Sequence, residues 1–203
     1  MSTYTEMQTT INDLLSRSDL ASTVTDAIQR AIKAYEREPF YFNERSQTLT
    51  VSSGATTYTL SSSFVEMLSD PTITINGSIY QLDLISKDEY DAKKITTTTS
   101  QPSEYCLYAG TFNPYPPPDS SYVAVLNYTT RLSTLSAGAD SNAWTTQAED
   151  LIEARALWWI HTFKTRNQAL AQSCKAAELE ALRFLRNESV GKKSTGKLKA
   201  TDF

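Results

Sequence analysis

The segment 145–187 constrains the fold of this chain most, because it contains two strongly apolar helical patterns with almost no interruption. In the first pattern, apolar side chains occupy nearly every position from Ala156 to Ile160. Such a run predicts a helix that is buried on more than one side. The second pattern repeats at i, i+4, i+7 and i+11, with charged residues between, and predicts a helix with one apolar face. The residues predicted to form that face are Leu170, Cys174, Ala177, Ala181, Phe184 and Leu185.

Both ends of this helical pair carry sequence signals. Thr146 followed three residues later by Glu149 has the spacing of a capping box, which predicts the start of the first helix. Gly191 follows the last periodic residues, in a position where glycine commonly ends a helix. Helices this apolar need packing partners, and the rest of the chain has to supply them.

Two shorter amphipathic helices are predicted near the N-terminus. The first covers residues 5–17, and the second has its apolar face within residues 24–35, with Ser18 or Asp19 as its N-cap. Short helices are marginal in isolation. We therefore expect both to pack against the buried run at residues 156–160.

The central part of the chain changes to the alternating pattern that is typical of β-strands. The runs 47–51 and 58–60 predict one hairpin, and the runs 72–75 and 78–82 predict another. The second pair is joined by Asn76-Gly77, which is the strongest short hairpin signal that a sequence can carry.

The second half of this central part predicts a short helix and three more strands. Ser86 and Glu89 again have capping-box spacing, so a helix is expected over residues 87–93. The central segment should then contain about six short strands, the last three being 104–109, 111–115 and 122–128.

Together these patterns predict an α+β protein with a four-helix core, two helices from each end of the chain, and an inserted antiparallel β domain. The helical core is expected in residues 1–40 and 143–188, and the β insert in residues 41–142. Residues 189–203 are expected to form a flexible, disordered tail, because they lack apolar periodicity. The basic residues of this tail are Lys192, Lys193, Lys197 and Lys199.

Composition excludes several classes of protein. A formal net charge of −4 argues against a protein that clamps nucleic acid over its whole surface. No run approaches the ~18 apolar residues of a membrane helix, so no membrane association is predicted. The first residues lack the basic and apolar regions of a signal peptide, so synthesis in a cytoplasm is expected. Cys106 and Cys174 are interpreted as buried free thiols, with a disulfide or a metal pair as the alternative.

No catalytic or metal-binding pattern rises above background, and we predict neither enzymatic activity nor a cofactor. The one histidine, His161, falls in the most buried helix and is interpreted as a structural side chain. The glycines are scattered, so no phosphate-binding loop is present. The acidic groups at residues 88–91 and 149–153 fall at helix starts, where carboxylates are ordinarily structural.

Two features leave alternatives open. The basic tail is either a solubilising end or an arm that meets an acidic partner or nucleic acid. The tyrosines of the central segment either fill the β core or form a surface for a protein or glycan partner. Those tyrosines are Tyr105, Tyr108, Tyr115, Tyr122 and Tyr128.

The order of several motifs carries a resemblance to a known family. After the N-terminal helix pair comes Phe40-Tyr41-Phe42, followed by a strand, a glycine turn and a closing phenylalanine within residues 48–64. A short strand then ends in the proline-rich turn of residues 112–119, a longer strand follows at 122–128, and Trp144 precedes the long helices. In this order the chain resembles the head-to-tail connector, or adaptor, proteins of tailed bacteriophages.

The resemblance implies a structural virion protein located in the neck between capsid and tail. Members form a homo-oligomeric ring, commonly a dodecamer, beneath the portal, with tail or nozzle proteins below it. DNA passes through the lumen without sequence-specific binding. The hypothesis for the tail is that Lys192, Lys193, Lys197 and Lys199 dock on the portal. The competing interpretation is an adhesion or glycan-binding module with the β insert as its binding face.

Overall fold

The computed structural model describes residues 2–17, 19–95 and 98–193, and these form two compact units. The helical unit contains the described residues up to Asn43 and those from Leu132 onward, and the β unit is Glu44–Arg131. The helices are α1 (Tyr4–Leu15), α2 (Ala21–Tyr35), α3 (Lys87–Lys94), α4 (Ala143–Thr146), α5 (Glu149–Phe163) and α6 (Gln168–Lys193). The strands are β1 (Glu44–Val51), β2 (Tyr58–Thr59), β3 (Phe64–Met67), β4 (Thr72–Ile75), β5 (Ser78–Gln81), β6 (Asp83–Leu84), β7 (Glu104–Tyr108), β8 (Thr111–Tyr115) and β9 (Tyr122–Thr130). The predicted α+β class is confirmed.

The central helix of the helical unit is α5, which packs against α2 and α6 and also contacts α1 and α4. Its buried residues lie on almost every side of the helix, as the run from Ala156 to Ile160 predicted. The stripes on α1 and α2 are also buried as expected. The core they share includes Met7, Ile11, Val24, Ile28, Leu151, Ile152 and Ile160.

The ends of α2 and α5 are built differently from the prediction. Leu20 is the N-cap of α2 and makes no side-chain cap bond. Asp19 instead pairs with Arg17 at 2.6 Å, and Ser18 lies outside the described residues. The Thr146–Glu149 capping box was also wrong, because Thr146 belongs to the short helix α4, whose cap is Asn142.

Helix α6 continues past Gly191 to Lys193, so the predicted helix end was wrong. Near this end of α6 the buried Ser189 donates to the Leu185 carbonyl at 2.7 Å and accepts from the Tyr41 backbone N–H at 3.2 Å, which joins the helix end to the segment after α2. The first residues of the predicted tail, 189–193, are therefore helical. The remainder of that tail, 194–203, lies outside the described residues.

The buried face of α6 is rotated from the predicted stripe. Leu185 is buried and Cys174 half-buried as expected, but Leu170 and Phe184 are exposed. The remaining members of the buried face include Ala171, Glu178 and Ser189. Because these are small or polar, periodicity of large apolar residues could not identify them.

The β unit consists of two sheets with a shared core. One has the order β1-β9-β4-β5, with β3 also paired to β9, and the other has the order β2-β8-β7-β6. The pairings are antiparallel except for β6 with β7, so the predicted antiparallel insert contains one parallel pair. The core draws on both sheets through Val51, Leu60, Ile73, Ile75, Tyr105, Phe112, Ala124, Leu126 and Tyr128.

Of the two predicted hairpins, one is confirmed and one is wrong. Strands β4 and β5 pair around Asn76-Gly77, where both residues have positive φ, and β7 pairs with β8 around Gly110. The runs 47–51 and 58–60 do not form a hairpin, because β1 pairs with β9 and β2 pairs with β8. The described residues also contain more strands than predicted, including β3 and β6.

The β unit is shorter at both ends than the predicted insert 41–142. Phe42 packs against Trp144 with 5.2 Å between ring centres. Leu135 is buried in the core of the helical unit. The segments that flank the β unit therefore belong to the helical core, although neither is a continuation of a long helix.

Candidate interaction surfaces

Of the four lysines predicted to dock on a partner, Lys192 is the one whose side-chain contacts the structure describes. Its Nζ lies 2.7 Å from the Glu188 carboxylate and 3.6 Å from the centre of the Tyr41 ring. The hydrogen bond to Glu188 raises the pKa of Lys192. Lys193 ends α6, and Lys197 and Lys199 lie outside the described residues. Lys192 thus fastens the end of α6 to the segment that precedes the β unit.

An apolar groove lies between the start of α5 and one flank of α6. Its volume is about 400 Å³. Phe184 is 69% exposed at this flank, and Asp150 and Glu180 also line the groove. We call this surface the α5–α6 groove, and its lining is Gln147, Ala148, Asp150, Leu151, Ala177, Glu180, Ala181, Phe184 and Leu185.

A second surface, at the other end of α5, combines aromatic rings with cationic groups. The ring of Trp159 has the Arg30 guanidinium 5.0 Å and the Lys164 ammonium 5.7 Å from its centre. Phe163 contacts Trp159 at 5.7 Å and is 56% exposed. We call this surface the tryptophan cluster, and its members are Arg30, Trp158, Trp159, Phe163 and Lys164.

A buried carboxylate connects three helices close to this cluster. Glu178 is 1% exposed, and its Oε1 accepts from Arg155 at 3.2 Å, from Lys175 at 3.0 Å and from the Tyr35 hydroxyl. Its Oε2 has no hydrogen-bond partner among the residues that the structure describes. Burial, followed by the bond to Glu178, raises the pKa of the Tyr35 hydroxyl. The contacts join α2, α5 and α6, which indicates a structural role.

The first turns of α5 carry an acidic group with an altered pKa. Burial, and then the neighbouring Glu149 and Asp150, raise the pKa of Glu153 to about 7. Its Oε1 is buried without a partner among the described residues. Glu149 differs, since it accepts a hydrogen bond from the Ser2 hydroxyl at 2.6 Å. This end of α5 is therefore acidic, whereas its other end is basic.

The histidine and the cysteines occupy structural positions. His161 is buried, with its Nδ1 3.0 Å from the Thr165 hydroxyl, and burial lowers its pKa. Cys106 and Cys174 are free, as predicted, although Cys174 is only half-buried. Within the described ranges, no group of histidine, cysteine and carboxylate side chains could hold a metal ion. No described helix is long and apolar enough to cross a bilayer.

The β unit offers an exposed sheet edge. Strand β5 is the last strand of its sheet, and every residue in it is exposed, including Ile79 and Tyr80. The interpretation of the tyrosines as core residues is confirmed for Tyr105 and Tyr128, which are buried, but not for Tyr108, which is exposed. An exposed apolar edge strand is a surface on which a partner strand can pair.

The chain was compared with known protein families and with curated proteins. The family SU10 adaptor protein matches residues 2–195, which is nearly the whole chain. The chain belongs to the SU10 adaptor protein family. No curated protein matches it. Membership of this phage adaptor family confirms the resemblance found in the sequence and implies a structural, connecting role among virion proteins.

For an SU10 adaptor protein, exposed apolar surfaces are candidates for contacts with other virion proteins. Sequence reasoning missed both surfaces of the helical unit. It placed Phe184 in the core and treated the two tryptophans as buried. Two cations close in sequence to the tryptophans were the available signal: Arg155, three residues before Trp158, and Lys164, five residues after Trp159, each lie over one of these rings.

Proposed function

We propose that this SU10 adaptor protein forms a ring between the capsid portal and the tail, through which DNA passes. The observation that carries the proposal is the family match over residues 2–195. The exposed apolar surfaces of the helical unit support it, because a subunit of a ring needs such surfaces to bind its neighbours. A dodecamer is the proposed assembly, and the neck of the virion its location.

The basic C-terminal end is the proposed contact with the portal. Lys192, Lys193, Lys197 and Lys199 give this end positive charge in a chain whose formal net charge is −4. Such a charge can steer a segment toward an acidic surface on a partner. Because Lys192 already contacts Glu188 and Tyr41, the part that is not needed for the helical unit should begin after Lys193.

A truncation that ends at Lys193 tests this contact without removing the buried Ser189. We expect the truncated chain to keep its melting temperature and to lose portal binding, measured by biolayer interferometry. The double variant Lys197→Glu/Lys199→Glu should also lose it, while Lys94→Glu on α3 is the control for reversal of a lysine charge in the β unit. Unchanged portal binding by the truncated chain would disprove this role.

Passage of DNA requires that the protein does not hold phosphates tightly. The acidic charge balance favours such weak binding. We expect only weak, strongly salt-dependent binding of duplex DNA, without sequence preference. Fluorescence anisotropy with two unrelated duplexes measures both properties.

Mass photometry and negative-stain imaging of the purified chain, with and without portal, test the proposed function directly. We expect rings of many copies on the portal. A stable monomer that does not bind portal would contradict the proposal. In that case glycan binding by the β unit becomes the function to test, with ligand-dependent stabilisation as its readout.

A further inference from the structure

The α5–α6 groove combines an apolar floor with uncompensated negative charge. Among the described residues, neither Asp150 nor Glu180 takes part in a salt bridge. The floor is formed by alanine and leucine side chains with the exposed ring of Phe184 at its side. A volume of about 400 Å³ lies near the lower end of the ~300–1,000 Å³ range of ligand pockets. The groove therefore suits an aromatic side chain that is accompanied by positive charge.

The tryptophan cluster has these complementary properties. Phe163 is a largely exposed aromatic ring on the same helix. Arg30 and Lys164 lie 5.0 Å and 5.7 Å from the centre of the Trp159 ring, and among the described residues neither forms a salt bridge. A cation over an aromatic ring keeps its charge, so it remains available for a carboxylate.

Helix geometry places the two surfaces on different sides of the helical unit. Asp150 and Trp159 are nine positions apart on α5, which is about two and a half turns at 3.6 residues per turn. The two side chains therefore point in opposite directions from the helix axis. A copy that binds through its groove on one side still presents its cluster on the other side. Repetition of such a head-to-tail contact forms a ring when the rotation closes.

We propose that the tryptophan cluster of one copy docks in the α5–α6 groove of the next copy. Phe163 enters the groove, and Arg30 and Lys164 face Asp150 and Glu180 of the neighbour. This inference rests on the proposed function, because it specifies the contact between copies in the ring. The proposed function requires only that copies contact one another in a ring. This inference names the two surfaces that form the contact.

Charge reversal and its rescue test the pairing in the full chain assembled on portal. The groove variant Asp150→Lys/Glu180→Lys and the cluster variant Arg30→Glu/Lys164→Glu should each reduce ring formation at least ~10-fold, since like charges now meet. A mixture of the two variants should recover assembly, because each then offers a surface complementary to the other. Glu66→Lys in β3 is the control and should assemble like the unaltered protein.

Folding is checked separately, so that loss of assembly is not mistaken for loss of structure. Each variant should keep the helical circular dichroism spectrum and a cooperative melt. A milder pair, Asp150→Asn/Glu180→Gln, removes charge without reversing it and should weaken assembly less than the lysine pair. Assembly by both charge-reversal variants at the unaltered level would overturn the pairing.

Site-specific cross-linking tests the contact itself. In a Cys174→Ala background, a chain with Phe163→Cys and a differently tagged chain with Phe184→Cys should be joined by a short bismaleimide when mixed with portal. Neither chain alone should give a covalent dimer. Efficient cross-linking within each separate chain, but not between the two, would instead indicate a symmetric contact and would overturn the head-to-tail arrangement.

The outcomes separate this inference from the proposed function. If rings form on portal but ignore charge reversal and give no mixed cross-link, the pairing is wrong and the adaptor function stands. If truncation after Lys193 makes the Phe184→Cys thiol markedly more reactive, the groove is occupied by the chain's own C-terminal segment, and the pairing is also wrong. If the unaltered protein forms no ring on portal, both proposals fail.

Discussion

Helix α5 and strand β9 have similar central roles in the two units, since α5 contacts α1, α2, α4 and α6, and β9 pairs with β1, β3 and β4. The sequence indicates this role for α5 alone. A central helix is buried on many sides by its own side chains, so its composition is apolar all round. A central strand is held by backbone hydrogen bonds to its neighbours, and these carry no side-chain signature. The centre of a helical unit is therefore easier to recognise than the centre of a sheet.

The largest expected effect comes from variants that test whether α5 and β9 contribute equally to the free energy of unfolding. Ile160→Ala in α5 and Leu126→Ala in β9 each remove a fully buried side chain. Each should lower the free energy of unfolding by about 2–5 kcal/mol. Chemical denaturation followed by circular dichroism measures the change, with Leu14→Ala on the exposed face of α1 as a control that should change it by less than ~0.5 kcal/mol.

The same two variants also test whether the two units unfold together. If Leu126→Ala melts the β unit while the helical signal persists, the units unfold separately and one free energy does not describe the chain. A single cooperative loss in both variants would show instead that the two units stabilise each other.

The sequence established most of the helical unit and only part of the β unit. The pattern of α1, α2 and α5 followed from large apolar residues at helical spacing. The Asn76-Gly77 hairpin followed from turn chemistry that only a few residues satisfy. The partners of β1 did not follow, because alternation specifies a face of a strand and not the strand beside it.

The interaction surfaces were less predictable than the fold. Phe184 and Leu185 are adjacent and both apolar, but one is exposed and the other buried. Which of the two is buried depends on Glu178 and Ser189, because these polar residues lie on the buried face of α6 and form specific hydrogen bonds there. Periodicity treats such polar residues as exposed, so it rotates the helix toward the wrong face.

The acidic end of α5 gives the helical unit a pH dependence near neutrality, whereas the pKa values that the β unit shifts are those of tyrosines, lysines and a cysteine, which it raises further. The pKa of Glu153 is raised to about 7 from an ordinary value of 4.5. The native state thus holds this proton more tightly than the unfolded state. Stability from this group is complete below pH ~4.5 and is lost as the pH rises through about 7.

Glu153→Gln removes this dependence. Above pH 7 the variant should be more stable than the unaltered protein by about 1–3 kcal/mol, since no buried charge has to form. Below pH 4.5 the two should be nearly equal. Denaturation midpoints between pH 4 and 8 measure the difference, and a gain that is the same at every pH would contradict the assignment.

Each unit also has a buried tyrosine hydroxyl that donates to a carboxylate. Tyr35 donates to Glu178, and Tyr105 donates to Asp70 at 2.9 Å. Tyr35→Phe removes one hydrogen-bond donor from the Glu178 carboxylate, and Glu178 is only 1% exposed. The variant should therefore lower the free energy of unfolding by about 1–3 kcal/mol. Tyr105→Phe should cost about 0.5–1.5 kcal/mol, because the half-exposed Asp70 can bond to water instead. Urea denaturation of both variants measures the costs, and equal costs would mean that burial of the acceptor does not decide them.

The smallest expected effect concerns two glycines, one in each unit. Gly77 has φ +82° in the β4–β5 turn, so Gly77→Ala is strained although nothing lies within 4 Å of the added methyl group. The substitution should lower the free energy of unfolding by about 1 kcal/mol.

Gly191 is inside α6 without a positive φ, and the space beside it is also open. Gly191→Ala should therefore stabilise the chain by about 0.5 kcal/mol, since alanine favours helix and glycine opposes it. A lower melting temperature of Gly191→Ala would contradict this prediction. It would indicate that α6 ends at Gly191, as the sequence predicted, because a glycine that ends a helix takes the left-handed conformation, which alanine resists.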